Sequence, residues 1–128
     1  MEGLLRLFAY DRSLIGPDLA RLRYEASIRP GVQEAYAAMF PAPRQAALDS
    51  MTHPVDDVAA VRATTLVHGR DDQVIPLQNA YDLLQLIDDA QLHVFGRCGH
   101  WTQLEHADEF NELVIDFLAR QGARGDRK

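Results

Sequence analysis

The sequence predicts an α/β domain, and three observations carry that reading. Two short apolar runs rich in β-branched or aromatic residues, Thr64-Thr-Leu-Val67 and Leu92-His-Val-Phe95, look like strands. Each runs into a glycine-bearing turn dense in ionisable residues. Each turn leads towards a stretch of helical apolar spacing, residues 77–87 and 107–120. Strand, turn and helix repeated in this way describe parallel strands joined by a covering helix, with functional loops at the strands' C-terminal ends.

The elements follow in chain order. Up to His53-Pro54 the apolar residues keep helical spacing, first Leu4, Leu5, Leu7 and Phe8, then Leu19, Leu22 and Ala26, then Val32, Tyr36 and Met39. Three short helices are expected there. Pro17 suits the first turn of the second, and Pro30-Gly31 ends it, because proline disfavours helical geometry in the residue before it and glycine tolerates a left-handed backbone. Pro41-Ala-Pro43 breaks the third, and a further short helix is expected over residues 44–51. Beyond the first strand, Pro76 opens a helix with Leu83, Leu84 and Ile87 on one face. The last helix carries a stripe of Phe110, Leu113, Val114, Phe117 and Leu118. The expected organisation is therefore a helical segment 1–53, a β-α-β-α unit 54–121 and a small, polar, frayed tail 122–128.

Composition bounds the function. The 128 residues are 47% hydrophobic and 25% charged, and a chain of that length buries roughly 65–70% of its unfolded surface, enough for one core. The net charge of −6, with no Lys/Arg-rich run before the last residues, argues against a nucleic-acid partner. No apolar run approaches the roughly 20 residues that cross a bilayer, and Glu2 stands where a signal peptide would be basic. No membrane partner is expected, and the location expected is cytoplasmic. The lone Cys98 makes no internal disulfide and fits a reducing compartment.

The chemistry lies in the two strand-end turns, Gly69-Arg-Asp71-Asp72-Gln-Val-Ile-Pro76 and Gly96-Arg-Cys98-Gly99-His100-Trp101. Neighbouring parallel strands lie about 4.8 Å apart, so an aspartate and a histidine leaving adjacent strand ends come within hydrogen-bonding reach. The carboxylate then fixes the imidazole tautomer and leaves the other ring nitrogen to take a proton from a nucleophile. The candidate catalytic residues are Asp72 and His100. Asp72 also suits a plain turn or cap, and Asp71 reads as a solvated turn residue. His53, His68, His93 and His106 read as structural or exposed. Cys98, His100 and His106 match no zinc spacing, so no metal is expected.

These residues resemble the C-terminal half of an α/β-hydrolase, in which the triad runs Ser, Asp or Glu, then His. Asp72-Gln-Val-Ile-Pro76 is similar to that superfamily's acid turn, and Gly99-His100 to its histidine turn. A narrower resemblance is to the meta-cleavage product hydrolases, which split a carbon–carbon bond in vinylogous 1,5-diketones from aromatic-ring degradation. It rests on Gly69-Arg-Asp-Asp72, on Cys98-Gly-His-Trp101 with Glu105-His-Ala-Asp-Glu-Phe110, and on Ser13-Leu-Ile15 with Arg23-Tyr-Glu25. The resemblance implies that residues 1–53 form a helical lid. It also implies that Arg23 binds the dienol oxygens or carboxylate, Trp101 positions the reacting chain and Val74 lines the pocket. No cofactor is implied.

The family's G-x-S-x-G nucleophile elbow is absent, since the serines are Ser13, Ser27 and Ser50, none in that context. Two functional readings follow. In one, the chain is the C-terminal portion of a carbon–carbon bond hydrolase, inactive alone, whose dienol ketone substrate is turned over only when the serine comes from elsewhere. In the other it is a non-catalytic fragment or association module with a relic Asp–His pair, or else a fragment of an ester-cleaving α/β-hydrolase. The apolar helix faces and the open sheet edge predict a partner, either an N-terminal half or a second copy of the chain.

Overall fold

The computed structural model describes the backbone of residues 1–125 and the side chains of residues 1–122. The architecture is α/β. Two parallel strands, β1 (Thr64–Gly69) and β2 (Ala90–Phe95), pair in register from Thr64 opposite Ala90 to Gly69 opposite Phe95. Helix α6 (Leu77–Leu86) makes the crossover and packs on both strands. Pro76, whose missing N–H would be unpaired in any case, starts it. After β2 come a single turn, α7 (Thr102–Glu105), and the long α8 (Ala107–Gly125), both packed against β1.

The first half is helical, as its spacing predicts, with α1 (Glu2–Leu5), a 3₁₀ turn (Arg12–Leu14), α2 (Pro17–Ser27), α3 (Val32–Met39), α4 (Arg44–Asp49) and α5 (Val55–Ala59). Pro17 occupies the first turn of α2 as expected. Gly31 precedes α3 at φ 82°, a left-handed geometry that glycine adopts without steric cost.

Several boundaries differ from the expected ones for physical reasons. The first helix stops at Leu5 instead of continuing through Phe8, since Leu7 and Phe8 turn back to Leu4 O and Leu5 O in tighter three-residue bonds. Both strands are longer than their apolar runs, since the ladder carries pairing out to Gly69 and back to Ala90. Helices α5 and α7 are too short for periodicity to register. Residues 122–125, expected in a frayed tail, continue α8, and residues 126–128 of that tail lie outside the described residues.

Burial concentrates in two places. One cluster joins Leu5, Ala9, Ile15 and Ala20, with Phe8, Leu19 and Trp101 packed against it. The other buried residues, Gly69, Ala80, Ile87, Cys98, Gly99 and Thr102, lie in and around the sheet and its end turns. The outer helix faces stay open: Leu83 is 36% exposed and Ile115 67%, while Leu84, Phe110 and Phe117 are half-buried. Among the described residues no helix is long and apolar enough to cross a membrane.

Candidate functional site

The two strand-end turns are joined backbone to backbone. Arg70 N–H donates to Phe95 O at 2.8 Å and Asp71 N–H to Cys98 O at 2.9 Å. Gly69 permits this approach, because a Cβ there would lie 1.9 Å from the Gly99 carbonyl oxygen. The turns are thereby fixed close enough for their side chains to meet.

Asp72 is held at both oxygens. Its Oδ1 accepts the N–H groups of Val74 at 2.7 Å and Ile75 at 3.1 Å, which close the turn locally, and its Oδ2 lies 2.9 Å from His100 Nδ1. The side chain is only 4% exposed. Burial pushes its pKa up, but the hydrogen bonds from His100, Val74 and Ile75 outweigh that cost and leave it below the ordinary aspartate value. A carboxylate accepting the Nδ1 proton leaves Nε2 as the basic nitrogen of the neutral ring. The imidazole side chain is 31% exposed.

His68 was read from sequence as structural or exposed, and the fold puts it at the acid. Its Nε2 stands 3.0 Å from Ile75 O and 3.6 Å from Asp72 Oδ2. An Nε2 proton directed at that carbonyl braces the acid turn against the end of β1. A small cavity of about 160 Å³ sits beside the pair, bordered by Val67, His68, Ile75 and Thr102. A larger recess of about 620 Å³ borders Tyr10, Arg97, Glu105 and His106 instead of the Asp72–His100 pair.

The histidine turn is gripped from the far end of the chain. His100 N–H and Trp101 N–H both donate to Phe8 O, at 2.7 and 3.1 Å. Glu105 accepts Gly99 N–H at 2.6 Å on Oε1, and the N–H groups of Tyr10 and Asp11 at 2.7 and 2.9 Å on Oε2. Hydrogen bonds to a charged acceptor contribute about 1.5–3 kcal/mol each. Gly99 leaves room for this contact, since a Cβ there would come 2.7 Å from Phe8 O. Beside it Cys98 is fully buried, and burial, with the nearby Glu105 carboxylate, pushes its thiol pKa up to about 12.

The remaining candidates fall as follows. Asp71 is turned away from the imidazole and bonds Arg70, at 3.1 Å to Nη2, so the register of the acid turn favours Asp72. Arg23 on α2 stands over the Trp101 ring at 5.8 Å, and Trp101 stacks on Phe8 at 5.2 Å. Val74 is 43% exposed, with its N–H committed to Asp72. The serine hydroxyls are spent locally, Ser13 on Asp11, Ser27 on Tyr24 O and Ser50 on Ala47 O. Among the described residues no group of three or more His, Cys, Asp or Glu is arranged to hold a metal ion.

Comparison with known proteins gives a consistent result. The model of the Alpha/beta hydrolase family matches residues 2–113. The chain is 56% identical over 124 residues to a 2-hydroxymuconate semialdehyde hydrolase of Pseudomonas putida, covering 96% of this chain and 44% of that protein. It is 55% identical over 122 residues to a 2-hydroxy-6-oxo-2,4-heptadienoate hydrolase of Pseudomonas putida F1, covering 94% and 44%. The solved meta-cleavage product hydrolase of Pseudomonas fluorescens IP01 superposes with a TM-score of 0.86 at 54% identity, over 94% of this chain and 45% of that one. The chain thus spans less than half the length of these relatives.

Proposed function

The chain belongs to the alpha/beta hydrolase family, and from that premise we propose that it supplies the acid and base of a hydrolase that cleaves carbon–carbon bonds in meta-ring-fission products. The observation that carries the proposal is the Asp72–His100 contact of 2.9 Å between two turns of a chain 56% identical to a 2-hydroxymuconate semialdehyde hydrolase. Asp72 keeps the Nδ1 proton in place and stabilises the imidazolium that forms when Nε2 accepts a proton. The proton comes from a serine hydroxyl or a water poised near a ketone. The dienol substrate is first ketonised. Addition of oxygen to the distal ketone then gives a tetrahedral oxyanion, and cleavage of the carbon–carbon bond releases a carboxylic acid and a hydroxydienoate. Water is the only co-reactant, and no cofactor takes part.

Arg23 and Trp101, already in contact, serve at the substrate: the guanidinium binds the carboxylate or dienol oxygens and the indole positions the chain to be cut, with Val74 at the pocket wall. The nucleophilic serine and the oxyanion donors come from outside these 128 residues, whose three serine hydroxyls are committed to neighbours. They come from a polypeptide that also covers the half-open faces of α6 and α8, an N-terminal portion of such a hydrolase or, less completely, a second copy of this chain. The free thiol of Cys98 supports a cytoplasmic setting.

Mixing the chain with a polypeptide that carries G-x-S-x-G, taken from the first half of a relative, tests the proposal by the fading of the yellow ring-fission product. Turnover is expected only from the mixture, and His100→Ala is expected to abolish it. Without nucleophile and oxyanion donors the rate falls by a factor on the order of 10⁶. Turnover by the purified chain alone that is lost in His100→Ala overturns the division of labour. A mixture whose activity survives His100→Ala overturns the role of the pair.

A further inference from the structure

Glu105 occupies a position that its own helix does not explain. It is the last residue of α7, a single turn too short for a helix dipole to account for where its carboxylate goes. Its two oxygens nevertheless collect three backbone N–H groups, one from Gly99 and two from Tyr10 and Asp11, which lie 95 and 94 residues away in sequence. Phe8, two residues before Tyr10, accepts from the next two N–H groups of the histidine turn, His100 and Trp101. These bonds form a closed circuit running from Glu105 to Gly99 and His100, across to Phe8, along the chain to Tyr10 and Asp11, and back to Glu105. His100 sits inside it, with its ring against Phe8 at 5.5 Å between centroids.

We propose that Glu105 is a positioning residue for His100: its carboxylate clamps residues 8–11 to the histidine turn and so holds the imidazole where Nδ1 meets Asp72. The argument is geometric. The imidazole leaves a short turn with Arg97 at φ 54°, and its ring bonds Asp72 and lies against Phe8. The backbone position of residue 100 must then be set by what its N–H and that of Gly99 bond to. Both partners belong to the circuit that Glu105 closes. A neutral side chain of the same size cannot replace it, since an amide offers one acceptor oxygen where donors approach from two sides. The proposal rests on the reading of His100 as the base, and extends it to the group that aims that base.

The test is ¹⁵N NMR of the histidine-labelled full chain, which reads the His100 tautomer and its Nδ1 proton directly. Wild type is expected to hold the Nδ1–H form with one sharp low-field proton. Glu105→Gln is expected to shift the ratio of the two tautomers by at least about fivefold, the effect of displacing one charge-assisted hydrogen bond, and to broaden that proton. A Glu105→Gln chain that folds with an unchanged His100 signature overturns the proposal. If Glu105→Gln does not fold, the pair Asp11→Pro and Asp11→Ala decides. Residue 11 has φ −81°, close to the proline range, so the proline variant removes the N–H while the alanine variant keeps it. The clamp requires Asp11→Pro to perturb His100 more than Asp11→Ala does, and equal spectra refute it. These spectra do not depend on turnover, so a failed clamp shows as an unmoved imidazole. A failed assignment of the base shows instead as activity surviving His100→Ala in the complemented enzyme.

Discussion

Two stretches of the helical first half behave in opposite ways. Residues 5–20 bury four apolar side chains, Leu5, Ala9, Ile15 and Ala20, although they hold little regular helix between α1 and α2. Residues 28–62 form three helices and bury nothing. Tyr36 is 64% exposed there and Val55 65%, with the ring contact of Tyr36 and Phe40 at 5.3 Å standing in for a core. Helical spacing thus predicts helices in both stretches, α5 excepted, and the burial of neither. Burial follows the backbone: where the chain gives its carbonyls and N–H groups to the histidine turn, its apolar side chains are drawn in against Trp101. Where its backbone bonds stay local, the apolar side chains face outward.

The sharpest way to break this contrast is to pry the turns apart. Gly69→Ala puts a Cβ into the Gly99 carbonyl and is expected to cost at least about 3 kcal/mol, read as a lower denaturant midpoint, with loss of the His100–Asp72 contact. Next, Leu5→Ala is expected to cost about 2–3 kcal/mol, whereas Met39→Ala, in the open stretch, changes stability by no more than about 0.5 kcal/mol. Equal losses at the two positions remove the distinction between the stretches. A smaller effect separates the site from the rest by acidity. Asp72→Asn is expected to cost about 1.5 kcal/mol at neutral pH. Because folding lowers the Asp72 pKa, its contribution is fully present above the ordinary value of about 3.9 and is lost as pH falls through the lower folded value. Stability curves of wild type and Asp72→Asn should therefore converge below about pH 4. Smallest, Arg23→Gln removes the contact over Trp101 and is expected to cost about 0.5 kcal/mol, visible as a small change in indole fluorescence.

The legibility of the site has the same physical root. Asp72 and His100 were readable because strand, turn and helix leave periodic marks, and because adjacent parallel strands bring their end turns together whatever the details. Their meeting needs only the right topology. Glu105 and His68 were not readable in role. Both act on main-chain atoms, Glu105 on N–H groups 94 and 95 residues away and His68 on the Ile75 carbonyl, and every residue type offers such atoms. The early end of α1 left no trace either: Leu7 and Phe8 keep helical spacing although their N–H groups bond three residues back instead of four. The extra strand residues at Gly69 and Ala90 come from pairing, which one strand's composition does not record.

The grip of residues 8–11 on residues 99–105 also sets a timetable during synthesis. Translation at about 5–20 residues per second leaves on the order of 5–20 s between the emergence of Tyr10 and that of Glu105. Throughout that interval the Tyr10 and Asp11 N–H groups have no carboxylate to bind, and Phe8 has no Trp101 to stack on. Residues 8–11 are thus secured only after the later turn is made, and Phe8 waits for Trp101 until the histidine turn has cleared the ribosome.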